Sequence, residues 1–488
     1  MKKTEDKIGW KFDNTYLKLP EILLSKINPT PVKHPKLVIF NHNLSKNLNL
    51  DFSSMNENDI AFLFSGNKLP KGSETIAQAY AGHQFGHFTI LGDGRALIVG
   101  EHLDKLNNRY DLQLKGSGKT PYSRNADGRA AVGPMIREYL ISEAMNLLNI
   151  STTRSLAVVK TGEKVIREEI LDGAILTRVA SSHIRVGTFQ FASLSKNKGD
   201  LKLLLEYTIN RHYPSLKDRQ NPALELLKSV QEKQINLICN WMRVGFVHGV
   251  MNTDNMSIAG ETIDYGPCAF MNAFNPNTVF SSIDRHGRYA YFNQPNIARW
   301  NLERFAESLS SLINEDTSKA IDLAKEVLVK YEEIYKDRWI EMMKNKLGIQ
   351  GTQNQDEKLI LELLSWMHNN KADYTNTFCF LMNELNHECE VYKKNEFQLW
   401  KKKWENRREF KNNKEKSKKI MKDSNPLVIP RNHLVEEAIK DVIEDNNSNT
   451  IHQLLKIIEN PREHYSLLEK YQFVPNLDNE RYVTFCGT

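Results

Sequence analysis

The first third of the chain alternates, and the remainder mostly recurs at helical spacing. Tyr110, Leu112 and Leu114 take turns with polar residues, a period-two pattern that predicts a strand ending in Lys115. Before it, Ile90-Leu91 and Ala96-Leu97-Ile98-Val99 flank Gly92-Asp93-Gly94-Arg95, which reads as a hairpin with a glycine turn. Residues 134–148 are rich in helix formers, with Pro134 suited to a first turn and Ile136, Leu140, Ala144 and Leu147 forming an apolar stripe. Three more strands are expected at Leu156–Val159, Val165–Glu168 and Ala174–Thr177, with Thr161-Gly162 at a turn.

After Phe191 the pattern becomes helical. One helix is expected from Asp200 to Tyr213, stopped by Pro214, and a longer one opens at Asn221-Pro222 and ends at Gly245. Beyond Gln294-Pro295 helical spacing dominates, with Trp300, Leu302, Phe305 and Leu309 on one face. A strand-rich front holding one helix, followed by a helical back, is an α+β layout in two lobes. The expected units are a β-rich N-lobe with its N-terminal extension at 1–190, a helical C-lobe with the catalytic loop at 191–340, and a helical C-terminal extension at 341–488. Within the last, residues 396–426 are dense in charge, and two short helices are expected after Arg431 before a loosely structured end at 476–488.

Composition narrows the function classes. With 488 residues, 40% hydrophobic and 26% charged, the chain has the make-up of a large soluble protein. It contains no apolar run approaching the roughly 18–20 residues that span a bilayer. The opening Met1-Lys2-Lys3-Thr4-Glu5-Asp6-Lys7 lacks the apolar stretch of a signal peptide, so a cytoplasmic location and no membrane partner are expected. The five cysteines include no Cys-x-x-Cys pair, which argues against a disulfide framework or zinc knuckle. The net charge of +6 is local: residues 401–422 hold eleven Lys/Arg against three Asp/Glu. One lysine-rich run reads as a solvated helix or linker, so no nucleic-acid partner is expected.

The chemistry concentrates in His248-Gly249-Val250-Met251-Asn252-Thr253-Asp254-Asn255 and in Asp264-Tyr265-Gly266. Together they have the skeleton of a protein-kinase catalytic loop and metal-binding triplet. Val250 stands where a kinase places its proton-accepting aspartate, and it can accept nothing. Upstream lie Gly92-x-Gly94-Arg95, where glycine lets backbone approach phosphate, then Lys115 at a strand end and Glu138 on a helix. Singly each has a bland explanation; in this order they describe a nucleotide site. Asn255 and Asp264 are oxygen ligands suited to Mg²⁺ or Mn²⁺. Arg178 and Arg185 could clamp a triphosphate. Gly116-Ser117-Gly118-Lys119-Thr120 imitates the end of a P-loop, but Gln113 replaces that loop's first glycine and Pro121 stands where its helix would begin. His248 is expected to brace its loop by hydrogen bonds.

Tyr80-Ala81-Gly82-His83-Gln84-Phe85-Gly86, Leu91-Gly92-Asp93-Gly94-Arg95, Leu114-Lys115-Gly116, Asp127-Gly128-Arg129, the His248–Met256 block and Asp264-Tyr265-Gly266-Pro267 resemble the selenoprotein O family, called YdiU in bacteria. The resemblance runs from about residue 70 to 310 and recurs at Arg431-Asn432-His433-Leu434. It implies a pseudokinase fold and a protein adenylyltransferase that binds ATP in a flipped orientation. Such an enzyme moves AMP to Ser, Thr or Tyr hydroxyls of protein substrates, and uridylylation from UTP with Mn²⁺ is also described for the family. By matching motif, Gly92, Gly94, Arg95, Lys115, Asp127, Gly128, Arg178 and Arg185 would contact the nucleotide. Asp254 would accept the proton, Asn255 and Asp264 would hold the metal, and Glu138 would pair with Lys115. The resemblance also places a C-terminal redox cysteine at Cys486. The activation-loop position that can carry its partner is here Phe280, which leaves Cys268 as the thiol for a redox latch. Two other readings stay open: a nucleotide-binding scaffold without catalysis, and a protein kinase using Asp254 as base.

Overall fold

The structure is a computed structural model, and it describes residues 8–385, 388–409, 414–475 and 482. Its centre is a nine-stranded antiparallel sheet among the described residues: β1 Leu24–Lys26, β2 Lys36–Phe40, β3 Ile76–Gln84, β4 His87–Gly92, β5 Ala96–Leu103, β6 Arg109–Lys115, β7 Ala130–Ala131, β8 Arg154–Ile166 and β9 Ile170–Ala180. The spatial order is β1-β3-β5-β6-β9-β8-β2, with β4 on β3 and β7 on β9. All nine of these strands precede residue 181, and from Val186 onward the chain is mainly helical apart from a two-stranded sheet of Phe246–Val247 and Ala269–Phe270, a mixed α and β architecture.

Strand alternation sorts side chains onto the two faces of the sheet. Leu97, Val99, Leu112, Leu114, Val159 and Ile175 pack with helices His42–Asn47 and Glu57–Phe64 into one core. Ile98, Val158 and Leu176 face the helix Val132–Leu147 in the other, which continues into the helical part. Helix Pro222–Val244 forms as its sequence dictates: Asn221 caps it by accepting from Leu224 N, Pro222 opens it, and Gly245 closes it at φ 73°. Lys198–His212 and Gln294–Ile313 likewise match their apolar periodicity.

Two expected features differ. β4 and β5 do not pair with each other; both lie along the same edge of β3, with Gly92 opposite Ala79 and Ile98 opposite Ile76. Six residues pass there against three on β3, so Gly92–Arg95 is a bulge within a continuing edge, not a hairpin turn. The true hairpin joins β3 to β4 through Phe85 (φ 50°) and Gly86 (φ 90°), both left-handed as a type I′ turn requires. Likewise Thr161-Gly162 is an irregularity inside the single strand β8, whose pairing jumps between Lys160 and Lys164, and the chain reverses at 167–169 instead.

The C-terminal region packs onto this body. The basic stretch forms helices Asn395–Glu409 and Lys414–Ser424, anchored by Arg407, which is buried on Asp356 at 2.6 Å. After them, Arg431 is buried between Asp373 (2.8 Å) and Asn272 (2.8 Å), and Asn432 donates to the Phe270 carbonyl. Helices Asn432–Glu444 and Asn449–Glu459 follow, as expected, together with a short helix Leu468–Gln472. Among the described residues no helix is long and apolar enough to cross a membrane.

Candidate active site

Five charged side chains from five separate segments converge behind the glycine bulge. Lys115 comes from the end of β6, Glu138 from the helix Val132–Leu147, Arg178 from β9, Arg185 from the residue capping the helix Val186–Ala192, and Asp264 from the loop after the catalytic segment. Lys115 Nζ donates to Glu138 Oε2 at 2.6 Å and reaches Asp264 Oδ1 at 3.3 Å. Arg178 bridges the same two acids, to Glu138 Oε1 at 2.7 Å and Asp264 Oδ1 at 2.6 Å. Arg185 lies 3.5 Å from Asp264 Oδ2 and 3.3 Å from Asp93 Oδ1, with its guanidinium 4.3 Å above the Tyr80 ring. The bare pattern anticipated the Lys115–Glu138 pair; the two arginines complete it into a network.

Arg178 and Arg185 are only 1% and 2% exposed, so their charges need internal partners. Burial alone would push the Asp264 carboxyl up, but Arg178, Lys115 and Arg185 outweigh it and hold it well below the usual carboxylate range. Glu138 is lowered by the same balance, through Arg178 and Lys115. Burial lowers Lys115, Glu138 opposes that, and nearby Arg178 and Arg95 add to it. The result is a fixed cationic cradle whose carboxylates stay ionised at neutral pH, the electrostatic form suited to a polyphosphate.

The His248–Asn255 segment completes the candidate site. His248 Nε2 donates to the Ile263 carbonyl (2.8 Å), and its backbone N donates to Gln294, so the ring braces the loop as expected. Val250 is buried and its carbonyl accepts from Asn255 Nδ2 at 3.0 Å, which leaves the Asn255 amide oxygen free to turn to a ligand. Asp254 is 8% exposed, and its Oδ1 has no hydrogen-bond partner among the described residues. Burial raises its carboxyl to about 6. A buried carboxylate with one oxygen unpartnered is costly, although Gln84 bonds the carboxyl, and groups of this kind concentrate at catalytic sites. The segment is tied to the β3–β4 hairpin, since Thr253 Oγ1 accepts from His83 N at 2.7 Å and Asn252 Oδ1 accepts from Phe85 N at 3.1 Å.

For a divalent ion, Asp264 and Asn255 offer an oxygen-only donor set, and no group of three or more His, Cys, Asp or Glu capable of holding a metal occurs among the described residues. A hard cation such as Mg²⁺ fits two protein oxygens when phosphates complete its shell.

Asp93 and Gln113 belong to the site, although sequence reasoning did not single them out. Asp93 Oδ2 accepts from Gln78 N at 3.1 Å, replacing a ladder bond lost at the bulge, and Gln113 Oε1 receives Arg178 at 3.2 Å. The placement of Asp93 between two glycines was the available signal. The loop that imitates a P-loop folds over the bulge instead: Gly116 N donates to Arg95 O at 2.7 Å and Thr120 Oγ1 to Asp93 O at 2.6 Å. A Cβ on Gly92 would stand 2.4 Å from the Tyr122 ring, and one on Gly94 2.8 Å from the Tyr122 carbonyl. Both glycines therefore serve close packing of this cover. Arg95 Nη1 is buried without a hydrogen-bond partner among the described residues. Asp127 and Gly128 lie apart from the charged cluster, Asp127 exposed and paired with Arg167 at 2.9 Å, Gly128 packed on Gly118. Cys268 is buried in the core and Cys486 lies outside the described residues.

Comparison with known proteins gives a consistent result. The family model described as "Protein adenylyltransferase SelO" matches residues 7–459. A "Protein nucleotidyltransferase YdiU" from Pelagibacter ubique is 56% identical over 487 residues, covering 99% of this chain and 100% of the relative. Proteins of the same description from Nitrosococcus oceani and Bacillus cytotoxicus are 53% identical over 486 residues and 51% over 489, covering 99% and 100% of this chain and 98% and 100% of the relatives.

Proposed function

The chain belongs to the protein adenylyltransferase SelO family, and from that premise we propose that it transfers AMP from ATP, and UMP from UTP, to Ser, Thr and Tyr hydroxyls of other proteins, releasing pyrophosphate. The observation that carries this reading is the convergence of Lys115, Arg178 and Arg185 on Asp264, with Val250 in place of the kinase base. A kinase needs its terminal phosphate aimed at the acceptor; three buried cations at the inner end of the site favour holding the outer phosphates there instead, so that the α-phosphorus faces the acceptor.

In this reading residues 1–190 and 191–340 act as the two lobes of a kinase-like enzyme, with the cleft between them and 341–488 as a helical extension. Lys115, Arg178, Arg185 and Arg95 bind the β- and γ-phosphates, and Glu138 positions Lys115 and Arg178. The Gly92–Gly94 bulge and the Asp127-Gly128 segment complete the nucleotide's surroundings. Asn255 and Asp264 would hold Mg²⁺ or Mn²⁺, which supplies charge neutralisation at the phosphates. Asp254 takes the proton of the acceptor hydroxyl. The hydroxyl oxygen then forms a bond to the α-phosphorus, the bond from that phosphorus to the bridging oxygen breaks, and its electron pair leaves with pyrophosphate.

Intact-mass measurement after incubation with ATP or UTP tests the reading. Acceptor proteins are expected to gain about 329 Da per AMP or about 306 Da per UMP; a gain of about 80 Da would mark phosphoryl transfer and overturn it.

A further inference from the structure

The β3–β4 hairpin has a second edge. The residues flanking a two-residue hairpin loop exchange both of their hydrogen bonds, and bonded pairs then alternate along the ladder. In the observed register Gln84:His87, Gly82:Thr89 and Tyr80:Leu91 are therefore the bonded pairs, and the backbone groups of Phe88 and Ile90 point away from β3. Arg124 agrees with that assignment, since its guanidinium donates to the Ile90 carbonyl from outside at 3.1 Å.

This outward edge is open and apolar where exposed edges are usually short, charged or covered. Phe88 and Ile90 are 45% and 59% exposed. Cations bracket it. Arg124 sits at the Ile90 end, and at the turn Arg288 Nη2 lies 3.8 Å from the Cβ position of Gly86, its guanidinium stacked 4.8 Å from the Trp300 ring. Neither arginine forms an ion pair among the described residues. The edge is also indexed to the catalytic segment, because the same hairpin donates to Asn252 and Thr253 and packs Gly82 on Asp254.

We propose that the free edge of β4 receives an extended acidic segment of the acceptor protein, laid down as an added strand beside the site of transfer. Main-chain hydrogen bonds to Phe88 and to the Ile90 N–H would supply affinity without demanding one sequence, and Arg124 and Arg288 would select acidic flanks. A second copy of this chain is a poor occupant, because edge-to-edge pairing would set arginine against arginine. The inference rests on the transferase reading and names the acceptor class for that site.

The test uses the full chain, ATP labelled at the α-phosphate, and two random copolymers, glutamate–tyrosine and lysine–tyrosine. The parent protein is expected to label the acidic copolymer at least about tenfold faster than the basic one. Ile90→Pro removes an outward N–H and no β3 bond, so the strand tolerates it. It should lower labelling of the acidic copolymer at least about fivefold while ATP affinity stays within about twofold. Arg124→Glu, which leaves the backbone edge intact, should abolish the preference for acid. Equal labelling of both copolymers overturns the inference, as does an unaltered rate in both folded variants, or label on neither copolymer while the enzyme labels itself. Absence of label on every protein, the enzyme included, would instead sink the transferase reading.

Discussion

Gly82 lies directly against Asp254: a Cβ built on the glycine would stand 2.2 Å from Asp254 Oδ1 and 2.9 Å from its Cβ. Gly82 does not need the left-handed region, so alanine fits the backbone there, and its three nearest contacts all belong to the Asp254 side chain. Gly82→Ala is therefore expected to displace Asp254, the proposed proton acceptor, while leaving the cationic cluster alone. Transfer should fall about a hundredfold, the cost of misplacing a reacting group by about an ångström. ATP affinity, measured by equilibrium titration, should change less than about threefold. An equal loss in both would place Asp254 in nucleotide binding instead.

Asp264 is the common counter-charge of Lys115, Arg178 and Arg185, so its removal has two opposite consequences. Asp264→Ala is expected to abolish metal-dependent transfer, a loss of at least about a thousandfold. Without metal, however, the three freed cations should bind triphosphate more tightly than in the parent, by about fivefold. Titrating ATP in the presence of a chelator checks the second outcome; weaker metal-free binding would remove Asp264 from its place between cations and phosphate.

Glu138 is 1% exposed and holds Lys115 and Arg178 together. Breaking one side of a buried ion network leaves charge uncompensated, at a cost of about 3 kcal/mol. Glu138→Ala should lower the denaturation midpoint accordingly, and saturating ATP should restore part of it, because phosphates replace the missing anion. A variant equally stable with and without nucleotide, at the parent's midpoint, would contradict this.

What the sequence discloses follows from where each residue sits in a regular element. Lys115 ends an alternating strand and Glu138 lies in a patterned helix, so their order matches the strand lysine and helix glutamate of a kinase site and pairs them. Gly245 was legible as a helix stop for the same reason, and its φ of 73° is why glycine is there. The bulges were not legible. Gly92-Asp93-Gly94 and Thr161-Gly162 have turn composition, and a glycine in a bulge looks the same in sequence as a glycine in a turn. Asp93 was missed because its role, accepting from Gln78 N on the facing strand and from Arg185, joins residues 15 and 92 positions away in sequence. β3 was hidden as well, since Ile76-Ala77-Gln78-Ala79-Tyr80-Ala81 is buried on both faces over most of its length and so lacks polar alternation. The N-terminal segment from Leu24 to Phe64, which supplies two strands and the helices of the second core, shows no strong period of its own.

Stability should carry a pH signature from Glu261. Burial raises its carboxyl to about 7, with Asp111 adding to the rise and the Ser181 N–H, 3.1 Å away, and Arg211 opposing it. An unfolded glutamate titrates near 4.3. Because the folded value is the higher one, the folded state binds the proton more tightly. The stabilisation is fully present below about 4.3 and is lost as pH rises through about 7. Glutamine keeps the uncharged form at every pH. Glu261→Gln should therefore match the parent's Tm at pH 4 and exceed it by about 2 °C at pH 8. Thermal melts at the two pH values check this; a difference of the same size at both would mean that Glu261 enters the fold already ionised.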